Sequence, residues 1–230
     1  MTTAFMMSPD SESRFCYLPR MKDSMQAIVE LQSLLRECRC CKDMIPPVVV
    51  GRPVVSPVIS IGQAPGDREG LAGKPFAWTA GKTLFKWFAT LGVDEESYRS
   101  RVYMAAVCRC FPGKNPKGGD RVPNQQEIAA CSAWLEQEFS LLQPRLVIPV
   151  GKLAIARIMP VGKLTDVVGR QFEKQLWGVP VSVIPLPHPS GVSTWHRTEP
   201  GQSLLMQALD LIGRHSAWQA TFPTNKPGQA

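Results

Sequence analysis

Seven cysteines are the residues of this 230-residue sequence whose type and spacing most directly suggest chemistry. Their odd number argues against a complete disulfide framework, which a reducing cytosol would also oppose. Cys38 and Cys41 form a C-x-x-C pair, whose two sulfurs can bind one metal centre from a single turn. Cys110 and Cys131 can complete a set of four thiolates. The spacing predicts a metal site and leaves zinc and iron–sulfur both open, although a zinc ribbon would more often show a second C-x-x-C.

The other three cysteines have a plainer interpretation, because free cysteine often packs as a small hydrophobic residue. They are Cys16, Cys40 and Cys108. Cys40 and Cys108 remain alternatives to their neighbours as metal ligands.

Two loops stand apart from the cysteines. Residues 62–66 read Gly-Gln-Ala-Pro-Gly, and residues 188–190 read His-Pro-Ser. Each follows a short run of apolar residues that does not alternate, as is typical of strands buried on both faces of a parallel sheet. Four such strands are predicted, at residues 58–61, 102–107, 146–150 and 179–186.

Helices are predicted between the strands from apolar residues at helical spacing. They run from residue 23 into the Cys38 cluster and over residues 79–91, 124–142, 152–159 and 203–215. The alternation predicts an α/β fold, a three-layer α/β/α domain with a short central parallel four-stranded sheet. Ligands bind where loops leave the carboxyl ends of such strands, so we expect the two loops to meet in one active site.

Composition and charge limit the possible domain organisation, location and partners of the chain. With 44% hydrophobic residues, the chain suits one domain over residues 25–216, between a flexible extension (1–24) and a flexible tail (217–230). No apolar run is long enough to span a membrane, and the first 20 residues lack a secretory pattern. We expect a cytoplasmic monomer without a membrane partner. The net charge of +7 is compatible with binding the phosphates of nucleic acid.

Several motifs follow one another in a fixed order along the chain. They are Cys38 and Cys41, Gly62-Gln63-Ala64-Pro65-Gly66 with Glu69, Gly73-Lys74-Pro75-Phe76, Ala80-Gly81, Arg109-Cys110-Phe111-Pro112, Cys131 and His188-Pro189-Ser190. Their joint order resembles that of the iron–sulfur, family-4 type of the uracil-DNA glycosylase superfamily. The resemblance runs over most of the chain, from about residue 25 to 214.

The resemblance implies a [4Fe–4S] cluster with a structural role, held by Cys38, Cys41, Cys110 and Cys131. It also implies an enzyme that extrudes a nucleotide from DNA and hydrolyses its glycosidic bond. The departing base is then anionic and the sugar cation-like, so the site needs hydrogen-bond donors at the base and a negative group near the sugar.

Individual roles follow from that chemistry. His188 is expected to donate to a base oxygen, and the N–H groups of residues 62–66 to form an oxyanion-type pocket. Glu69 is expected to stabilise the sugar cation or to position the attacking water. The expected remaining contacts are base stacking by Phe76, phosphate binding by Ser190, and filling of the vacated base position by Val192 or Trp195.

Two departures from the family pattern leave the identity of the excised base undecided. Gln63 and Ala64 stand where relatives carry an acidic residue, which places the carboxylate function on Glu69. Ala106 stands where relatives carry an asparagine that reads the uracil edge. The base is therefore uracil, read less stringently, or another deaminated base such as hypoxanthine or xanthine. The long basic loop over residues 113–123 is expected to contact DNA.

We therefore predict a monofunctional DNA repair glycosylase that removes a deaminated base, uracil first, from single- or double-stranded DNA. The alternative is an iron–sulfur DNA-binding module of the same fold with weak or no catalysis, which Ala64 and Ala106 favour. A third interpretation, an electron carrier or zinc protein unrelated to DNA, would leave the two loops unexplained.

Overall fold

The computed structural model describes residues 24–191 and 193–223. Its helices are α1 Ser24–Arg36, α2 Asp67–Ala72, α3 Thr79–Ala89, α4 Glu95–Arg101, α5 Gln125–Leu142, α6 Lys152–Ile158, α7 Gly201–Arg214 and α8 Ser216–Thr221. Its strands are β1 Val58–Gly62, β2 Tyr103–Ala106, β3 Leu146–Pro149, β4 Phe172–Leu176 and β5 Val179–Val183. Short 3-10 turns occur at Leu164–Asp166 and Trp195–Arg197.

The sheet has the order β2-β1-β3-β5-β4, and its first four members are parallel. They correspond to the four predicted strands, so the predicted fold class is confirmed. The fifth strand, β4, was not predicted: it pairs antiparallel with β5 through a turn at Trp177 and Gly178. Its sequence, Phe-Glu-Lys-Gln-Leu, lacks a buried apolar run because β4 lies at the edge of the sheet with its middle residues exposed.

Helices cover both faces of the sheet. On one face α1 packs against α5, and Tyr103 of β2 reaches Glu138 of α5 with its hydroxyl donating at 2.7 Å. On the other face an aromatic cluster joins α3, α4 and α8, in which Phe88 stacks on Trp218 at 5.3 Å between ring centroids. Tyr98 packs into the same cluster and is fully buried. The two faces hold β1 between them and so fix the strand that leads into the first predicted loop.

Local capping explains where α5 begins. The Asn124 side chain accepts from the Glu127 N–H at 2.9 Å, and the Glu127 carboxylate accepts from the Asn124 N–H at 2.7 Å. This is the reciprocal capping box that the spacing of the two residues predicts. Arg121 adds an ion pair to Glu127 at 2.7 Å, which ties the preceding loop to the start of the helix.

The chain ends differently from the prediction. The expected flexible tail from residue 217 is wrong at its beginning, because Ser216–Thr221 form α8 and Ala217 and Trp218 are buried. An indole anchored in an aromatic cluster is a tertiary contact that the polar, proline-containing tail sequence does not reveal. Of the predicted N-terminal extension, residues 1–23 lie outside the described residues, as do residues 224–230 of the tail. Within the described residues, the helices are too short or too polar to cross a membrane.

Candidate active site

A pocket of about 450 Å³ opens at the carboxyl ends of β1 and β2. It brings together residues from both predicted loops and from the segments between them. The predicted site residues on its wall are Gly62, Gln63, Ala64, Pro65, Gly66, Glu69, Phe76, Ala106, His188 and Ser190. The topology predicts that the two loops meet in one site, and residues from both loops line this single pocket.

The first loop is held against the end of β2 by its backbone. The Val107 N–H donates to the Gly62 carbonyl at 2.9 Å, and the Cys108 N–H donates to the Gln63 carbonyl at 3.0 Å. These bonds continue the parallel β1–β2 ladder beyond the strands. The pocket loop and the chain segment that carries Cys108 and Cys110 are therefore directly joined.

Glu69 lies in the first turn of α2 and is only 9% exposed. Its carboxylate accepts backbone N–H bonds from Gly66, Phe76 and Ala77, so it joins the first loop to the segment that carries the predicted base platform. Burial outweighs these bonds and raises the pKa of Glu69 to about 7. The residue can therefore carry a negative charge beside the pocket near neutral pH, and it also braces two of the pocket walls.

The Phe76 backbone has an unusual left-handed conformation, with a φ of 53°. The buried Arg99 fixes it by donating to the Pro75 and Phe76 carbonyls at 2.8 and 2.9 Å. A side chain on Gly81 would begin 1.8 Å from the Phe76 carbonyl oxygen, so only glycine allows this approach of α3. The ring lies against Gly62, where it can form one face of a slot for a flat base.

The half-buried His188 stands on the opposite loop. Its Nδ1 accepts from the Ser190 N–H at 3.2 Å, which leaves Nε2 to carry the proton when the ring is neutral. Burial lowers the pKa of His188 below its usual 6.5, so the imidazole is neutral at physiological pH. A side chain on Gly151 would begin 2.9 Å from the imidazole Cδ2. His188 is therefore a neutral hydrogen-bond donor whose ring is held by close packing.

Ala106 ends β2 opposite Gly62 and forms part of the pocket wall. Its methyl group offers no hydrogen bond there. Its carbonyl accepts from the Nε of Arg109 at 2.8 Å, and Arg109 is itself ion-paired with the fully buried Glu138. The Ala106 backbone is therefore held in place by Arg109. The Ala106 side chain has no polar atom that could hydrogen-bond to the edge of a base.

The basic loop over residues 113–123 folds over the pocket. Lys114 pairs with Asp67 at 3.0 Å and with Asp120 at 2.8 Å, so part of the loop's positive charge is neutralised. Gly118, Gly119 and Asp120 line the pocket. The Asp120 charge also reaches His188, whose pKa it raises against the larger effect of burial. DNA contact by this loop stays a prediction.

Three residues at the site were missed by sequence reasoning. Trp78 lines the pocket and is 55% exposed, Asp120 contributes a second carboxylate, and Arg99 clamps the Phe76 backbone. An aromatic residue two positions after the Gly-Lys-Pro-Phe motif was the available signal for Trp78. Arg99 lies in a helix that no motif marks.

Trp195, one of the two predicted wedge residues, does not line the pocket. Trp195 is half-buried in a 3-10 turn and packs against Gly201 at the start of α7. Val192 lies outside the described residues. Their insertion into DNA stays a prediction.

Five cysteines line a separate cavity of about 70 Å³ behind the pocket loop, together with Leu35 and Met44. They are Cys38, Cys40, Cys41, Cys110 and Cys131. Cys108 is fully buried and hydrogen-bonds to Cys131 without lining the cavity. Over residues 24–191 and 193–223, no three Cys, His, Asp or Glu side chains are gathered tightly enough to hold a metal ion. Cysteine thiolates are the ligands of iron–sulfur groups, so the five thiols around this cavity fit such a group by their chemistry.

Comparison with known proteins identifies the family of this chain. Residues 49–210 match the family described as the Uracil DNA glycosylase superfamily. The chain is 34% identical over 140 residues to the "Type-4 uracil-DNA glycosylase" of Pyrobaculum aerophilum, an alignment that covers 59% of this chain and 67% of that protein. It is 31% identical to the protein of the same name from Archaeoglobus fulgidus, with 59% and 66% covered. The chain thus spans about two thirds of the length of these relatives. Among solved structures, Pedobacter heparinus SMUG2 is similar with a TM-score of 0.48 and 12% identity, over 83% of this chain and 97% of that one.

Proposed function

This chain belongs to the uracil-DNA glycosylase superfamily, and from that premise we infer that it is a DNA repair glycosylase that hydrolyses the glycosidic bond of uracil in DNA to leave an abasic site. One observation carries the proposal. Phe76, Glu69 and His188 come from separate segments and line a single pocket at the carboxyl end of the sheet. An aromatic face, a carboxylate and a neutral donor are the groups that the reaction requires.

Recognition of the extruded base rests on Phe76 and His188. The Phe76 ring stacks on the pyrimidine, and its fixed backbone keeps the slot open before DNA arrives. His188 donates its Nε2–H to a base carbonyl oxygen, where negative charge gathers as the bond to the sugar breaks. Because the imidazole is neutral, the departing base leaves as an anion held by this hydrogen bond.

Glu69 acts at the other end of the breaking bond. As the base departs, the sugar becomes cation-like, and an ionised carboxylate stabilises it or orients the attacking water. The three N–H groups on Glu69 leave fewer of its lone pairs for water than a free carboxylate has. Glu69 therefore acts both through its charge and through its hold on the Gly66 and Phe76 backbones.

We expect the preference for one base over another to depend on Ala106, which lines the base pocket. We expect Ala106→Asn to add one side-chain hydrogen bond to the uracil edge and to raise the ratio of uracil to hypoxanthine release by about five- to tenfold. The measurement is the rate of base release from matched oligonucleotides. Ala106→Val, which fills space without a polar group, is the matched control. An unchanged ratio in the Asn variant would show that this wall does not read the base.

We propose that the cavity behind the pocket loop holds the cofactor. The proposed ligands of a [4Fe–4S] cluster are Cys38, Cys41, Cys110 and Cys131, all of which line that cavity. When bound, the cluster supplies structural cross-links between the segment after α1, the segment after β2, and α5. These residues would thereby hold the backbone that bonds to the Gln63 carbonyl.

Replacing any of these four cysteines with serine is expected to abolish the broad visible absorption of the cluster and to lower the melting temperature. Cys40→Ser tests the alternative ligand: Cys40 lines the same cavity and is exposed, and its serine variant is expected to keep the absorption. Iron, sulfide and zinc contents of the purified protein complete the measurement. Stoichiometric zinc with no iron would overturn the proposed cluster.

The function is tested by alkaline strand cleavage after incubation with oligonucleotides that carry one uracil, hypoxanthine or xanthine, in single- and double-stranded form. Release of uracil supports the proposal, and the relative rates identify the preferred base. The second candidate, a DNA-binding module without catalysis, is favoured by the missing polar groups at Ala64 and Ala106. Tight DNA binding by the cluster-loaded protein without release of any base would establish that candidate instead.

A further inference from the structure

Trp78 is an exposed aromatic residue at the mouth of the base pocket. The residue is 55% exposed, although tryptophan is usually largely buried, and it also lines the pocket. It lies at the N-terminal boundary of α3, where its carbonyl accepts the Lys82 N–H at 3.1 Å. The indole is thus carried by a well-defined backbone position and leaves much of its surface open to a ligand.

Two cations accompany the indole. The Arg68 guanidinium carbon lies 5.8 Å and the Lys82 ammonium 6.0 Å from its ring centroid, and both residues are exposed. These distances are at the outer limit of a cation–π contact, so the attraction is weak and easily exchanged for another partner. No ion pair to an acidic group is found for either cation among the described residues. Both are therefore available to phosphates.

We propose that Trp78 stacks on a base that flanks the extruded nucleotide in single-stranded DNA, with Arg68 and Lys82 on the adjacent phosphates. The proposal rests on the glycosylase function inferred above and names its substrate form. An aromatic face beside two cations is the arrangement that binds single strands, because every base has a π-face and every link has a charge. In a duplex the flanking base stays stacked on its neighbours, so the contact favours an unpaired strand.

The test measures binding of an oligonucleotide containing a 2′-fluorinated deoxyuridine, whose electron-poor sugar resists cleavage. Trp78→Ala is expected to weaken binding of the single strand by about 5- to 150-fold, and Trp78→Phe by much less. Met206→Ala, which removes an exposed apolar side chain on α7, is the matched control and is expected to bind like the wild type.

The decisive comparison removes the flanking base instead of the tryptophan. When the nucleotides on both sides of the fluorinated deoxyuridine lack their bases, the penalty of Trp78→Ala is expected to vanish. A penalty that persists in full would show that Trp78 acts on the shape of the pocket and would overturn the proposal. An unchanged affinity of Trp78→Ala for the intact strand would overturn it as well.

Failure of the proposed function can be distinguished from failure of this inference. If the wild type releases no base but shows the same dependence on Trp78 and on the flanking base, the stacking contact stands without the catalysis. If it releases uracil and Trp78→Ala binds normally, the function stands and the stacking contact is wrong.

Discussion

Replacing His188 with alanine is expected to slow uracil release by about 10²- to 10³-fold, because the leaving base loses the Nε2–H that stabilises its growing negative charge. Binding of uncleavable DNA should change far less, since this hydrogen bond strengthens only as charge develops. The measurement is the single-turnover rate of base release, with affinity for the 2′-fluorinated oligonucleotide determined in parallel. A wild-type rate in a folded His188→Ala protein would contradict the assigned role.

The pH profile distinguishes a neutral from a charged histidine. Burial keeps the pKa of His188 below 6.5, so the imidazole remains neutral as pH rises through neutrality. The contribution of His188 to the rate should therefore not decline between slightly acidic and slightly alkaline pH. If the imidazolium were the active form, the rate would fall with rising pH in the wild type, and His188→Ala would remove that fall.

The second large effect is expected for Glu69→Gln, with a loss of about 10²- to 10⁴-fold in the rate of base release. The substitution removes the negative charge that we propose stabilises the sugar cation. It also places an amide NH₂ group beside backbone N–H groups that donate to the carboxylate in the wild type. Glu136→Gln, an exposed carboxylate on α5, is the matched control and should keep the wild-type rate. A glutamine variant that is as active as the wild type would exclude both roles of Glu69.

Two pH readouts separate the charge of Glu69 from its bracing role. With a pKa of about 7, the wild-type rate should rise as pH increases through that value and Glu69 ionises; Glu69→Gln should lose this rise. The stability of the folded protein is expected to change with pH in the opposite direction to the rate. The folded protein holds a proton on Glu69 between pH 4.5 and about 7 that the unfolded chain has lost, so the free energy of unfolding falls as pH rises through this window. Thermal melts of wild type and variant across it would show the difference.

Features that depend on neighbouring residues were predictable from the sequence. Asn124 and Glu127 mark the start of α5 through a capping box, which involves only one turn of chain. The parallel strands follow from their uninterrupted apolar runs, and the rule that ligands bind at the carboxyl ends of strands places residues 62–66 and 188–190 together. The pocket wall confirms that placement.

Features that depend on distant partners were not predictable. Strand β4 has no apolar pattern, because an edge strand is defined by its hydrogen bonds to β5 and not by burial. Helix α8 is stabilised by Trp218 packing on α3 and α4. The contact of Glu69 with a second pocket wall depends on the Phe76 backbone. The conformation of that backbone is held by Arg99 from another helix. Sequence spacing carries no information about such a three-way contact.

The close contacts at Gly81 and Gly151 have a consequence for how this pocket can evolve. Any side chain at either position would displace the Phe76 backbone or the His188 ring, so both walls resist gradual change by point mutation. Ala64 and Ala106, by contrast, line the pocket and already carry a Cβ, so a longer side chain at either position does not start from the glycine-only contacts found at Gly81 and Gly151. New base preferences should therefore arise at these two alanines, and natural or selected variants with altered substrates should differ there while the glycines stay constant.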